Sequence, residues 1–443
     1  MNRKFENGQN VQAGVKKRIL LIGGNFSPEL TGIGKYNGEM IEWLANHGYA
    51  CSVITTYPYY PQWQIQEPYA RSANWYRKEI SKAVNPYSII RCPHYVPQNP
   101  TGFKRLLSDL SIFVSTFFAL FPLLFKTKFD YVITVAPPFT LGLLGYLYKN
   151  LKGAKFIYHV QDLQVDAAKE LGMIKSSSLL SILFSVEKLI LNKANVVSTI
   201  SIGMMKKLEN KCQKTISYFP NWVDINAFYP IQDKSILKTK FGFNAADKVI
   251  LYSGAIGEKQ GLEMILKAAK ELQFTNNVKF VICGHGPYQQ KLITLQKDLK
   301  VNNVYFLSLQ PYCLFNQFLN MADVHLVIQK ANASDLVLPS KLSTILAVGG
   351  VSIVMANTGT SLYNLMQTSD MGYVIKPEDQ MAFNNAILLA VSSDNSVKAH
   401  NARTYAENRL SQEAILSTFS QQILSSPTKV ETKLFVSNVL ESV

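Results

Sequence analysis

Cysteine is sparse and scattered: five residues in a chain of 443 (Cys51, Cys92, Cys212, Cys283 and Cys313), with no C-x-x-C pair among them. That scatter excludes a disulfide framework and a structural zinc site, and it fits a reducing cytoplasm. No D-x-D pair and no His/Asp/Glu grouping with metal-ligand spacing occurs, so no metal is expected. Acidic residues are also short, 30 against 45 Lys and Arg, leaving a net charge of +15. The excess suits an anionic partner. Because the cations are spread along the chain rather than run together, nucleotide phosphates or an acidic membrane surface fit better than nucleic acid. The opening MNRKFENGQNVQAGV lacks an apolar core, which excludes a signal peptide and leaves 1–15 as a flexible leader. A Walker loop is missing too: Gly34-Lys35 has Glu29 where the first glycine belongs and Tyr36 afterwards. So is the dinucleotide fingerprint, since the first turn lacks its glycine spacing and the second strand ends in TTYPYYP, without an acid.

What is present is a globular composition, 47 % apolar and 17 % charged, at a length that suits two domains of roughly 200 residues. Apolar, β-rich runs at 18–26, 50–56, 87–92, 131–135, 155–160 and 195–200 alternate with helical periods such as 36–46 and 179–192. The rhythm pauses at YFPNWVD and a Lys-rich stretch. It restarts at 248–253, 278–283, 304–307, 324–328, 351–355 and 373–375. Alternation of this kind is the pattern of parallel βαβ architecture. Both halves open as strand, glycine-rich loop and helix (RILLIGGNFSPELTGIGKY and VILYSGAIGEKQG), which predicts an α/β protein of two Rossmann-like domains facing across a cleft. The expected division is a leader (1–15), a first Rossmann-like domain (16–220), a second Rossmann-like domain (221–410) and a C-terminal helix and tail (411–443).

Ligands of such sheets lie beyond the carboxyl ends of the strands. Three glycine pairs or sets stand there: Gly32 and Gly34; Gly254, Gly257 and Gly261; Gly284 and Gly286. Glycine lets the backbone approach a phosphate, and a following helix N-terminus supplies N–H groups. Lys259 sits in the second loop, and Lys341 follows Pro339-Ser340 at the start of a helix over 342–348, with Ser340 offering a hydroxyl there. An ammonium at each place would stabilise charge on a departing diphosphate. His159, Asp162 and Asp166 crowd the end of the 155–160 strand, where Asp162 is the candidate base or acceptor-positioning group. His285, between two glycines, is placed to face the nucleotide.

The segment 104–128, KRLLSDLSIFVSTFFALFPLLFKTK, is apolar and has basic ends. Asp109 and Pro122 interrupt it as a membrane span. A buried helix and a helix lying in a membrane interface both remain open.

The stretches SPELTGIGKYNGEMIEWLANHGY, YPYYPQW, RCPHYVP, FPNWVD, LYSGAIGEKQGLE and VLPSKLSTILAVGG occur in that order. Through them the chain resembles glycosyltransferase family 4, of GT-B fold, from about Arg18 to about Leu410. The resemblance implies that the Gly32/Gly34 loop approaches the donor phosphate or acceptor, and that His159 and Asp162 lie beside the reacting sugar. Asn221 and Asp224 match the turn joining the domains. Gly254, Lys259 and Gly261 match the diphosphate loop, Gly284 and Gly286 the turn near the base, and Ser340 and Lys341 the donor segment. It further implies a nucleotide-sugar donor as substrate (GDP-fucose is the one it points to), no cofactor, and retention at the anomeric carbon. A lipid-linked oligosaccharide acceptor would be met at the inner face of the cytoplasmic membrane. Many relatives carry two glutamates before the A-x-G turn, the second gripping the donor ribose. Here Thr344 holds that position and Asp335 is the only acid between Lys330 and Gly350. Ala255 likewise replaces a polar residue. A sugar-nucleotide epimerase and a non-catalytic polysaccharide-assembly protein are the alternatives on the same architecture.

Overall fold

The computed structural model describes residues 16–29, 32–98, 100–126, 128–170, 172–174, 176–275, 277–330 and 339–424. The proposed leader, Asp335 and the tail beyond Leu424 lie outside the described residues. Two compact units make up the chain, dividing between Val197 and Ser198.

The first holds the strands β1 (Arg18–Gly23), β2 (Ala50–Thr56), β3 (Arg77–Ile80), β4 (Ser88–Cys92), β5 (Tyr131–Ala136) and β6 (Lys155–Val160), and the division falls within β7 (Val196–Thr199). With β8 (Ser217–Tyr218) the sheet order is β3-β4-β2-β1-β5-β6-β7-β8. The pairings β4-β2, β2-β1, β1-β5, β5-β6 and β7-β8 are parallel, and β3 joins β4 antiparallel. All six residues of β5, YVITVA, are buried, as expected of a strand covered on both faces. Leaving β3 aside, the order β4-β2-β1-β5-β6-β7 is that of a doubly wound sheet, with its switch point between β1 and β5.

The second unit repeats the plan with β9 (Lys248–Ser253), β10 (Val278–Cys283), β11 (Val304–Leu307), β12 (Val324–Val327), β13 (Ser352–Met355) and β14 (Gly372–Ile375) in the order β11-β10-β9-β12-β13-β14. The two-residue alternation of a strand sorts its side chains between two cores. Val249 and Leu251 join one cluster with Phe318, while Ile250 and Tyr252 join the other with Phe383. Truncating one of these aliphatic residues to alanine should cost about 2–5 kcal/mol.

The expected strands are present with small changes at their ends, and two more exist. β3 reads RKEI and escapes a hydrophobic pattern because it is an exposed antiparallel edge. β8 has two residues only. The helix expected over 342–348 runs from Ser340 to Ala347. Pro339 is therefore its N-cap and Ser340 its first helical residue, and no side chain caps the helix. The buried-helix alternative for 104–128 is also corrected. A helix spans Gly102–Lys126, and one face of it is open to solvent.

Candidate active site

In the second unit the switch point lies between β9 and β12, and the chain leaving β9 carries the glycine loop. Gly254 N–H donates to Cys283 O (2.9 Å), Ile256 N–H to His285 O (3.1 Å) and Gly257 N–H to Gln260 Oε1 (3.1 Å). The loops after β9 and β10 are thus clasped backbone to backbone. A Cβ on Gly284 would collide with the Gly254 carbonyl oxygen, and one on Gly286 with that of Ile256. This close approach requires glycine at both positions by itself. It also occupies several loop amides that the sequence offered to a phosphate, so cationic side chains become the more telling feature.

Lys341 supplies one. Its ammonium sits 3.9 Å from the centre of the Tyr252 ring, and a Cβ on Gly254 would lie 3.1 Å from Nζ. Tyr252 is held in turn by its hydroxyl donating to Ala255 O (2.7 Å). Burial pushes the Lys341 ammonium down from 10.5 to about 7. The ring face compensates part of that cost through its quadrupole. A buried ammonium on an aromatic ring, beside a glycine and without an acidic partner among the described residues, is poised for an external anion.

Lys259 lies exposed in a short 3-10 turn, Glu258–Gln260, which Gly261 ends at φ +64°. Lys259 O accepts from Lys330 N–H (2.9 Å), so the chain leaving β12 is tied to this turn. Lys330 Nζ stands 4.0 Å from Glu258 Oε1, an ion pair at the limit of contact and open to water. Thr344, one turn beyond Lys341, is half-buried. His285 is exposed, and Asp224 accepts from Asn226 and Ala227 N–H, closing the turn that begins near Asn221.

The corresponding edge of the first unit is acidic and aromatic. Glu29 is buried at 3 % exposure and accepts from Tyr59 N–H (2.9 Å), Tyr60 N–H (3.0 Å) and Asn25 Nδ2 (3.0 Å). Burial raises its pKa, while those donors and Arg91 draw it back. A Cβ on Gly34 would strike this carboxylate, which gives Gly34 a packing reason of its own. Gly32 begins its helix at φ +60° against the Tyr60 ring. Arg91, fully buried, donates to Ser27 O (2.6 Å) and pairs with Glu79 (3.2 Å). The loops after β1 and β2 are thereby fixed.

His159 is buried near the end of β6, and Asp162 follows two residues beyond the strand. Asp162 is exposed along one side, but surrounding protein crowds its carboxyl. That desolvation raises its pKa, the Leu163 N–H opposes it, and the Asp166 charge adds to it. Gln164 links this turn to Asp109, accepting from Phe139 N–H (2.9 Å) and donating to Asp109 Oδ2 (2.5 Å). Among the described residues, no three His, Cys, Asp or Glu side chains gather as a metal site would need.

Comparison with known proteins gives this arrangement its family. Residues 31–222 match the glycosyl transferase 4-like domain and residues 233–409 the glycosyl transferases group 1 domain. The Escherichia coli (strain K12) protein named as colanic acid biosynthesis glycosyl transferase WcaI is 39 % identical over 418 residues, 92 % of this chain and 99 % of that protein. The chain belongs to the glycosyltransferases. Its fold is GT-B. Sucrose-phosphate synthase from Thermosynechococcus elongatus superposes with a TM-score of 0.71 at 17 % identity, covering 93 % of this chain and 99 % of the other. Anabaena HepE, solved with UDP, gives 0.67 at 14 % identity over 92 % and 100 %.

For this glycosyltransferase, sequence reasoning assembled Gly254, Lys259, Gly261, Gly284, Gly286, Ser340 and Lys341 within one unit, and Gly32, Gly34, His159 and Asp162 within the other. It missed Tyr252, Lys330, Glu29 and the Asp109–Gln164 pair. Tyr252 carried a signal, since strand alternation sets it beside Ile250 and one residue before the loop. Glu29 carried none, because an isolated acid in a sequence reads as solvated, and Asp109 stood out only as the charge interrupting an apolar segment, with nothing to name Gln164 as its partner.

Proposed function

We propose that the chain transfers a sugar from a nucleotide-sugar donor to a lipid-linked oligosaccharide during assembly of a colanic acid-like exopolysaccharide. The observation that carries this reading is the Lys341 ammonium lying on Tyr252 beside Gly254. In this reading Lys341, supported by Lys259 and Lys330, stabilises the diphosphate as it departs, so no metal is needed to neutralise it. GDP-fucose is the proposed donor, on the strength of the family resemblance alone. Thr344 replaces the family's ribose-gripping acid with a neutral hydroxyl.

Asp162 and His159 hold the acceptor. The acceptor oxygen forms a bond to the anomeric carbon on the face the diphosphate leaves, which retains configuration. The bond from that carbon to the diphosphate oxygen breaks, and the acceptor proton passes to the departing phosphate oxygen. Asp162, in this scheme, orients the hydroxyl and does not keep its proton.

The test is a panel of GDP- and UDP-sugars scored first by thermal shift and then by turnover with an isolated lipid-linked acceptor fraction. Stabilisation by GDP-fucose with product formed only when acceptor is present is the expected result. Conversion of the nucleotide sugar without any acceptor would replace transfer by epimerisation. Failure of every nucleoside diphosphate to stabilise the fold would remove the donor assignment.

A further inference from the structure

The Gly102–Lys126 helix is folded inside out. Its buried positions are Ser108, Ile112, Ser115, Thr116, Ala119 and Leu120, mostly small or hydroxyl-bearing. Ser108 and Ser115 of this face, with the half-buried Ser111 beside them, are hydrogen-bonded to the unit beneath. Ser108 Oγ donates to Tyr95 O (2.8 Å), the Tyr76 hydroxyl donates to Ser115 O (3.0 Å), and Tyr95 N–H donates to Ser111 Oγ (2.9 Å). The outward face carries the large apolar side chains: Phe103 at 70 % exposure, then Leu107, Leu110, Val114 and Phe118 at 60 %. At 100° per residue these five fall within an arc of about 80°. Phe121 and Phe125, 50 % and 72 % exposed, prolong the ridge after a turn at Phe121–Pro122, their rings 5.2 Å apart. From Phe103 to Phe125 it is about 33 Å long at the helical rise.

A helix sealing a core against water turns its phenylalanines inward. The reverse arrangement suits a helix whose outer medium is hydrocarbon. Its ends supply the second argument. Lys104 and Arg105 stand at one end, with Lys126 and Lys128 at the other. The only acid from 102 to 128 is Asp109, which accepts from Gln164. Two copies of this ridge packed antiparallel would set Lys104 and Arg105 against Lys126 and Lys128, and packed parallel would set like against like. Self-association therefore brings cations together in either orientation. An anionic lipid surface neutralises both ends. A span is disfavoured by the same hydrogen bonds, which tie the stretch from Ser108 to Ser115 to its own unit, and by the burial that continues on that face to Leu120.

We infer that the Gly102–Lys126 helix is an in-plane membrane anchor, lying in the headgroup region of an anionic phospholipid leaflet with its phenylalanine ridge buried among the acyl chains. The anchor would bring the acidic edge of the first unit to the surface where a lipid-linked acceptor is presented. This last consequence rests on the proposed acceptor. The anchor itself does not.

The test uses the full chain with sedimentation of vesicles made of phosphatidylcholine alone or mixed with phosphatidylglycerol. The wild type should bind the mixed vesicles at least about tenfold more tightly, and salt should weaken that binding. Phe118→Ser and Phe121→Ser should each lose roughly tenfold or more in vesicle affinity, from the apolar area no longer buried. Both should keep the wild-type circular dichroism and the wild-type thermal shift with nucleoside diphosphates, because the altered side chains point away from the fold. Loss of vesicle binding with an intact nucleotide response separates the anchor from the donor assignment. Three results overturn the inference: equal binding to neutral and anionic vesicles, resistance to alkaline extraction as a span would show, or no vesicle binding together with a dimer in light scattering that Phe118→Ser dissolves.

Discussion

The two sheets share one winding order and carry opposite chemistry at their carboxyl edges. Beyond β9 and β12 the second unit presents ammonium groups: Lys341 on the Tyr252 ring, Lys330 tied by its backbone to Lys259, and Lys259 in the open turn. Beyond β6 the first unit presents Asp162 and Asp166, while Glu29 lies buried beneath the loop after β2 and Asp109 sits on the Gly102–Lys126 helix, hydrogen-bonded to Gln164. A duplicated architecture has thus been divided by charge. The cationic edge suits a diphosphate, and the acidic edge suits a polyhydroxylated sugar, whose hydroxyls donate to carboxylates. The difference teaches that fold places a site while side chains at equivalent strand ends decide what enters it.

The sharpest way to break the contrast is to discharge the cationic edge. Lys341→Ala should lower kcat/KM by about 10²–10³-fold, the usual effect of removing a group that meets developing charge. A correctly folded variant with unchanged kcat/KM would take Lys341 out of the reaction. Its ionisation adds a signature. Burial brings free Lys341 down to about 7, and under the proposed donor assignment a bound diphosphate would hold the proton on. Binding therefore takes up a proton, and affinity is full below about 7 and declines as pH rises above it. Lys341→Arg, permanently charged, should flatten that profile in calorimetric titrations with nucleoside diphosphate.

The acidic edge is probed by Asp162→Asn. Turnover should fall by roughly 10–10²-fold while nucleoside-diphosphate affinity stays near wild type, since the residue is assigned to the acceptor. A parallel loss of nucleotide affinity would move Asp162 to the donor and erase the division of labour. Smaller again is the effect of Gly284→Ala. The new methyl group meets the Gly254 carbonyl and forces the clasped loops apart, for a stability loss of about 1–3 kcal/mol in denaturant unfolding. The alanine should also weaken nucleotide binding, because Gly254 is the residue against which Lys341 packs.

Much of this contrast was legible before the fold was known. Twelve strands and the glycine loops after them follow from apolar periodicity and from which residue types tolerate a tight turn after a strand, whereas Lys341 and Asp162 were candidates by their place at a helix start and a strand end. What was hidden has a common physical origin: it depends on contacts between segments distant in sequence. Gly284 and Gly286 read as phosphate-binding turns, yet each is also demanded by the backbone of residues 254–256. Glu29 lies in an unremarkable SPEL stretch and becomes a buried acceptor only when the β2 loop folds over it. The 104–128 segment announced its apolarity but not its orientation. The identity of the inward face, Ser108 and Ser115 rather than Phe118, is settled by Tyr76 and Tyr95, which come from elsewhere in the unit.

Asp109 joins the anchor to the acidic edge and gives the smallest predicted effect. Burial raises its carboxyl from 3.8 to about 7, against the pull of the Gln164 amide and the Arg105 charge. The folded state therefore prefers the protonated acid. Its contribution to stability is complete below about 3.8 and is lost as pH rises through about 7. Melting temperature should decline over that interval in the wild type. In Asp109→Asn, which keeps the size and the contact while removing the ionisation, that decline should shrink. The anchor adds a further expectation, because a surface potential of about −30 mV concentrates protons and lowers the local pH by about half a unit. Anionic vesicles should then shift the wild-type decline to higher bulk pH by that amount and leave Asp109→Asn unmoved. An identical shift in both proteins would place the titrating group elsewhere and uncouple the acidic edge from the membrane-facing helix.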